Sequence, residues 1–243
     1  MTHPLGSTRT VIKPNYALIS PDSRVTSVLP GWTNCVASVQ ISAAMGAGLT
    51  QLIIDVPKNG AATSSTGADQ MFFFVVSGGI TLNGRKLGAE HFAFMPPGTT
   101  FDLRGDHKQS QLLIFQKRYE VLPGHAAPAP IYGDTAKVKA TAFLGDPNAR
   151  LQTLLPDTLA FDMAINVFTY DPGATLPFVE SHIMEHGMLF LSGAGVYRLG
   201  ADWYPVQTGD AIWIAPYCEQ WFVCMGKTTA RYIYYKDVNR SPK

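Results

Sequence analysis

Charge of one sign, paired cysteines and long apolar runs are all scarce in this chain, and each scarcity removes a class of function. Its 243 residues carry 19 Lys and Arg against 18 Asp and Glu, a formal net charge of +1. No basic run builds the one-signed face that a phosphate backbone attracts, so nucleic acid is not an expected partner. The three cysteines, Cys35, Cys218 and Cys224, are odd in number and form no CxxC pair. Buried free thiols in a reducing compartment are the expectation, not a disulfide scaffold. No apolar stretch is long enough to cross a bilayer, and the first residues, MTHPLGSTRT, lack the charged-then-apolar order of a secretory signal. A soluble cytoplasmic protein without membrane partners is expected, long enough to bury a core unaided.

What is present is a recurrence of short segments rich in β-branched and aromatic residues, among them NYALIS, MFFFVVSG, SQLLIFQ, INVFTY, MLFLSG and ARYIYYK. Gly and Pro punctuate them at PGW, PKNG, SGG, PPG, PGA and SGAG, as hairpins and corners require. The chain is therefore expected to be all-β, with little helix. LPGHAAPAPIYGD is rich in Pro, Ala and Gly and reads as a linker over residues 122–134, between domains at 1–121 and 135–243. MFFFVVSGGITL (71–82) aligns with HGMLFLSGAGVYRL (186–199) on a shared Ser-Gly pair, and EHFAFMPPGTTF (90–101) aligns with GDAIWIAPYCEQ (209–220). The landmark intervals differ by four residues, which a longer hairpin in the second half would absorb. Such a repeat is what a duplicated β-barrel leaves behind.

One cluster carries chemistry. FVESHIMEHG (178–187) holds Glu180, His182 and His186 in a chain with six histidines. On a strand, Glu180 and His182 share a face, and His186 returns after a short turn; Met184 reads as a core residue. Packing histidines are one reading. A divalent cation is another, because three such groups left unpaired in an apolar barrel would cost several kcal/mol. HIMEH also fits the helical H-x-x-E-H zinc-protease pattern, with Glu185 as base, although its flanks are strand-like.

These residues resemble the motifs of the cupin superfamily. Gly173, Glu180, His182, His186 and Gly193 occupy the first motif, with its first His replaced by Glu and its Glu by His. In the second motif Gly209 is kept, Ala215 stands where Pro is usual, and Gln220 takes the place of the final His. The Glu-x-His-x3-His set with a distant Gln is similar to the C-terminal site of the (S)-ureidoglycine aminohydrolase family, and the likeness runs from Asn15 to Arg240. It implies a bicupin of two tandem jelly-roll-like barrels and a metal set of Glu180, His182, His186 and Gln220. The first-half counterparts are Ser65, Gly67, Met71 and Phe101, so the N-terminal cupin is expected to lack a metal site. Imidazole, carboxylate and amide oxygen suit a six-coordinate first-row divalent ion; the resemblance implies manganese.

The activity so implied is metal-dependent hydrolysis of (S)-ureidoglycine to (S)-ureidoglycolate and ammonia, a step of allantoin and purine catabolism, by a homo-oligomer acting on a small-molecule substrate. Catalytic roles fall to Glu180, as proton handler, and to Lys236. Tyr197, Tyr232 and Lys236 would bind substrate, the ammonium anchoring its carboxylate. Other classes stay open: another metal-dependent cupin enzyme (a dioxygenase, decarboxylase or isomerase), against which Gln220 weighs because an amide donates less to a redox metal than imidazole does, or a non-enzymatic ligand-binding cupin.

Overall fold

A computed structural model describes residues 8–240, and among them regular structure is strand, with only the short 3-10 turns Pro21–Ser23, Ala43–Met45 and Thr135–Lys137. No helix among these residues is long and apolar enough to cross a membrane. The chain divides into two compact units, each an antiparallel sandwich of the jelly-roll kind.

The first unit, residues 25–138 with 157–162, pairs a 7-stranded sheet with a 5-stranded one. Inside the larger sheet, Asp69–Ser77 lies between His91–Met95 and Gln109–Arg118. Its residues are buried on both faces, which is why MFFFVVS reads as a continuous apolar run without alternation. Phe73, Ile54, Leu112, Ile114, Leu103 and Phe101 are part of its core.

The second unit takes in residues up to Arg24, then 139–156 and 163 onward, in an 8-stranded and a 3-stranded sheet. His186–Ser192 runs between Ala211–Ile214 and Ala230–Asp237, and Met163–Tyr170 flanks the latter. Phe168, Tyr170, Phe190, Phe222 and Tyr232 pack its interior as a cluster of rings, with Phe222 meeting Tyr170 and Tyr232 edge to face.

This division differs from the expected boundaries at three places. Tyr16–Ile19 pairs in register with Ala211–Ile214 of the second unit, and Arg9 grips the fully buried Asp210 with two bonds of 2.7 Å. Residues 131–134 of the expected linker form a strand on His91–Met95. The segment 157–162 joins the first unit through the carboxylate of Asp162, which accepts from Lys117, Gln70 and the Glu120 amide. All three are long-range pairings invisible to local composition.

The repeat is visible in the backbone. Gly78 and Gly193 hold φ of 76° and 77° at equivalent hairpin entries. A Cβ at Gly193 would come within 2.4 Å of the Thr229 carbonyl oxygen, so close approach as well as conformation demands glycine there. The hairpin that follows pairs four residues per strand in the first unit and six in the second, which accounts for the four-residue offset.

Candidate metal centre

The segment from Pro177 to Glu185 is a loop, where the sequence predicts Glu180 and His182 on a strand followed by a short turn to His186, and only Glu180 makes an isolated bridge. Glu180 N–H donates to Gln220 O at 2.8 Å and Gln220 N–H to Glu180 O at 2.9 Å, setting the two residues side by side. Tyr217 N–H then holds the His182 carbonyl at 2.7 Å, and Ser181 Oγ donates to the Tyr217 carbonyl at 3.0 Å. Tyr217 has a left-handed φ of 63°, at the alignment position where the first unit has Gly98 with φ 75°. The turn keeps its conformation without the glycine, held by these bonds.

His186 opens the next strand, and Lys236, Tyr234 and Tyr232 share one face of Ala230–Asp237. Glu180, His182, His186, Gln220, Tyr197, Tyr232 and Lys236 thus all line a single cavity of about 150 Å³, together with the apolar Phe143, Leu151, Phe168, Leu176 and Met188. Met184 also lines it and is half-buried, not the core residue expected. Tyr234 also lines the cavity, and its alternation with Tyr232 and Lys236 on one strand is the signal in the sequence that points to it. Phe143 and Leu151 carried no local signal, since they come from strands paired at the sheet edge.

The protease reading is overturned. No helix runs through HIMEH, and the Glu185 carboxylate accepts from Trp213 Nε1 at 3.2 Å in a buried position outside the cavity lining. Cys218 is buried, with burial pushing its thiol up, and does not line the cavity either.

Hydrogen bonding sets the imidazole tautomers. Nδ1 of His182 lies 3.1 Å from the Met184 carbonyl and Nδ1 of His186 lies 3.1 Å from the Tyr235 carbonyl. A carbonyl only accepts, so each ring carries its proton on Nδ1 and leaves Nε2 with a lone pair. The two Nε2 atoms face each other at 3.1 Å. Two lone pairs at that distance repel, but two nitrogens each about 2.1 Å from one ion, at right angles, stand about 3 Å apart. Carbonyl anchoring of the remote ring nitrogen is also how metal-binding histidines are ordinarily oriented.

Gln220 Nε2 lies 3.3 Å from His182 Nε2, and Gln220 Oε1 accepts from Tyr197 Oη at 2.7 Å. A half-turn of the amide would bring its oxygen to the imidazoles. Among the described residues no three His, Cys, Asp or Glu side chains form a ready ion cage, so Glu180 shares the cavity without closing on the histidine pair. The donor set present fits a divalent ion: two fixed imidazole lone pairs, an amide and an adjacent carboxylate.

Burial pushes the Glu180 carboxyl above the usual carboxylate range, with the Lys236 charge acting against it. Burial also holds Tyr197 and Tyr232 well above the usual phenol value, so both stay neutral donors; Tyr232 Oη lies 3.1 Å from Tyr170 Oη. His186 falls to about 3, through burial first and the neighbouring His182 charge second. Since the folded value lies below the unfolded one near 6.5, His186 contributes fully above pH 6.5 and its contribution is lost as pH falls toward 3. Urea titrations of metal-free protein should therefore lose on the order of a few kcal/mol between pH 7 and pH 4, and His186→Gln should flatten that slope. An unchanged slope in the variant would refute the assignment.

In the first unit, Ser65, Met71 and Phe101 line a separate cavity of about 190 Å³ together with Trp32, Leu52, Ile114 and Gln116, and Gly67 sits in a turn with φ 58°. None of the four aligned positions carries a ligand of the second site's kind.

A family model for the cupin domain matches residues 166–235. The chain is 38% identical over 242 residues to the (S)-ureidoglycine aminohydrolase of Arabidopsis thaliana, covering 98% of this chain and 80% of that protein. It is 32% identical to the (S)-ureidoglycine aminohydrolase of Escherichia coli K12, covering 97% of this chain and 94% of that one. Among solved structures, protein Ylba from E. coli superposes with a TM-score of 0.87 at 30% identity, covering 98% of this chain and 97% of the other.

Proposed function

The chain belongs to the (S)-ureidoglycine aminohydrolase family, a hydrolase family acting on a C–N bond and built on the bicupin fold, and from that premise we propose how its own residues serve the reaction. The substrate is (S)-ureidoglycine, and the products are (S)-ureidoglycolate and ammonia. The observation that carries the reading is the convergence, in one cavity, of two neutral imidazoles with facing lone pairs, a half-buried carboxyl and an ammonium.

His182, His186, Gln220 and Glu180 would hold a divalent ion, manganese in this proposal. When bound, the ion supplies Lewis-acid polarisation. Lys236 pairs with the substrate carboxylate, and the neutral hydroxyls of Tyr197 and Tyr232 donate to the same end of the molecule. Glu180 takes a proton from water as its oxygen bonds to the carbon bearing the amine, and delivers a proton to the departing nitrogen. One C–O bond forms and one C–N bond breaks, with no change of oxidation state. The apolar wall of Phe168, Leu176 and Met188 restricts bulk water around the reacting carbon. The proposal includes assembly as a homo-oligomer and action in the cytoplasm.

The test supplies ureidoglycine freshly generated from allantoate. Protein loaded with Mn2+ is expected to form (S)-ureidoglycolate stereospecifically, and chelation is expected to return the rate to near the spontaneous one. A metal-loaded protein no faster than buffer would refute the assignment.

A further inference from the structure

We infer that Tyr234 is a positioning residue for the metal centre, acting through His186; the inference rests on the metal reading above. Its ring stands edge-on to the His186 imidazole, with centroids 5.3 Å apart and planes at 85°. His182 meets the same imidazole edge-on at 4.9 Å and 88°, so His186 is confined by aromatic rings as well as by its bond to the Tyr235 carbonyl.

That bond fixes one ring atom but leaves the imidazole free to rock about it. An adjacent ring removes the rocking and keeps Nε2 aimed into the cavity. Tyr234 is itself held on two sides. It stacks on Phe168 at 5.7 Å and 13°, and its hydroxyl accepts from the amide of Asn166, a buried residue directly opposite it in the sheet register. A chain of contacts therefore runs from Asn166 through Tyr234 to His186, on residues of three successive neighbouring strands, and rigid strand positions place a donor more closely than a loop does. His182 lies on the loop, so the strand-held His186 is the fixed point from which the ion's position is set.

The distinguishing measurement is Mn2+ affinity of the full chain, read by the free Mn2+ electron paramagnetic resonance signal with no substrate present. Tyr234→Leu removes the ring edge and is expected to weaken Mn2+ binding by about 10- to 100-fold. Tyr234→Phe keeps the ring and loses only the Asn166 bond, so it is expected to recover most of that affinity. Thermal melts of the metal-free variants supply the control for packing. Equal Mn2+ affinity in wild type and Tyr234→Leu overturns this inference alone, as does a loss in Tyr234→Phe as large as in Tyr234→Leu. Wild-type protein that takes up no Mn2+ overturns it together with the metal reading.

Discussion

Glu180→Gln is expected to lower kcat by about 10²- to 10⁴-fold at saturating Mn2+ with the fold intact. The amide matches the carboxylate in shape and keeps an oxygen, and the backbone bonds between residues 180 and 220 do not involve the side chain. What it lacks is the ability to accept a proton from water and pass one to the leaving nitrogen. Because Glu180 is also placed as a ligand, weaker metal binding would produce a similar loss at limiting Mn2+. Measuring kcat along a full Mn2+ titration separates the two: a ligand defect is restored by more metal, whereas a proton-transfer defect persists. Near wild-type kcat at saturation would exclude Glu180 as the proton handler and turn attention to Lys236, which lines the same cavity from the strand Ala230–Asp237.

How far the site was legible in the sequence depends on whether a residue's partner lay nearby in the chain or in an aligned repeat. The Ser-Gly pair announced both hairpins, because a left-handed turn pressed against a neighbouring backbone tolerates little else. Glu180, His182, His186 and Gln220 could be paired by motif spacing, and all four line one cavity. Strand alternation misplaced the path between them. Pairing with Gln220 ends after one bridge, since Tyr217 turns back to bind the His182 carbonyl, and that bond depends on a left-handed tyrosine in a glycine's place. Tyr234 shared the period of Tyr232 and Lys236, but its role depends on Asn166 and Phe168, residues some seventy positions earlier that are adjacent only through strand pairing. Domain limits failed for the same reason. Arg9 and Asp162 are decided by buried charges whose partners are remote.

That failure has a measurable counterpart in Asp162→Asn, which is expected to destabilise the first unit by about 3–5 kcal/mol. The Asp162 side chain is fully buried and receives Lys117 Nζ at 2.8 Å, the Glu120 amide at 2.8 Å and the Gln70 amide. Lys117 is only 9% exposed, so neutralising its partner strands an ammonium where water cannot solvate it. An asparagine keeps the volume and one acceptor oxygen, so the loss reports charge more than packing. Adding Lys117→Met should recover much of the stability, because the double variant removes the stranded charge and leaves a flexible apolar chain in its place. Amide exchange locates the effect: Asp69–Ser77 and Gln109–Arg118, which carry Gln70 and Lys117, should lose protection in Asp162→Asn, while Ala230–Asp237 keeps its own. A double variant less stable than Asp162→Asn would show that hydrogen bonding to the carboxylate, not the ion pair, binds 157–162 to the first unit. Exchange that accelerates equally in both units would mean that the segment supports the whole chain and not one sandwich.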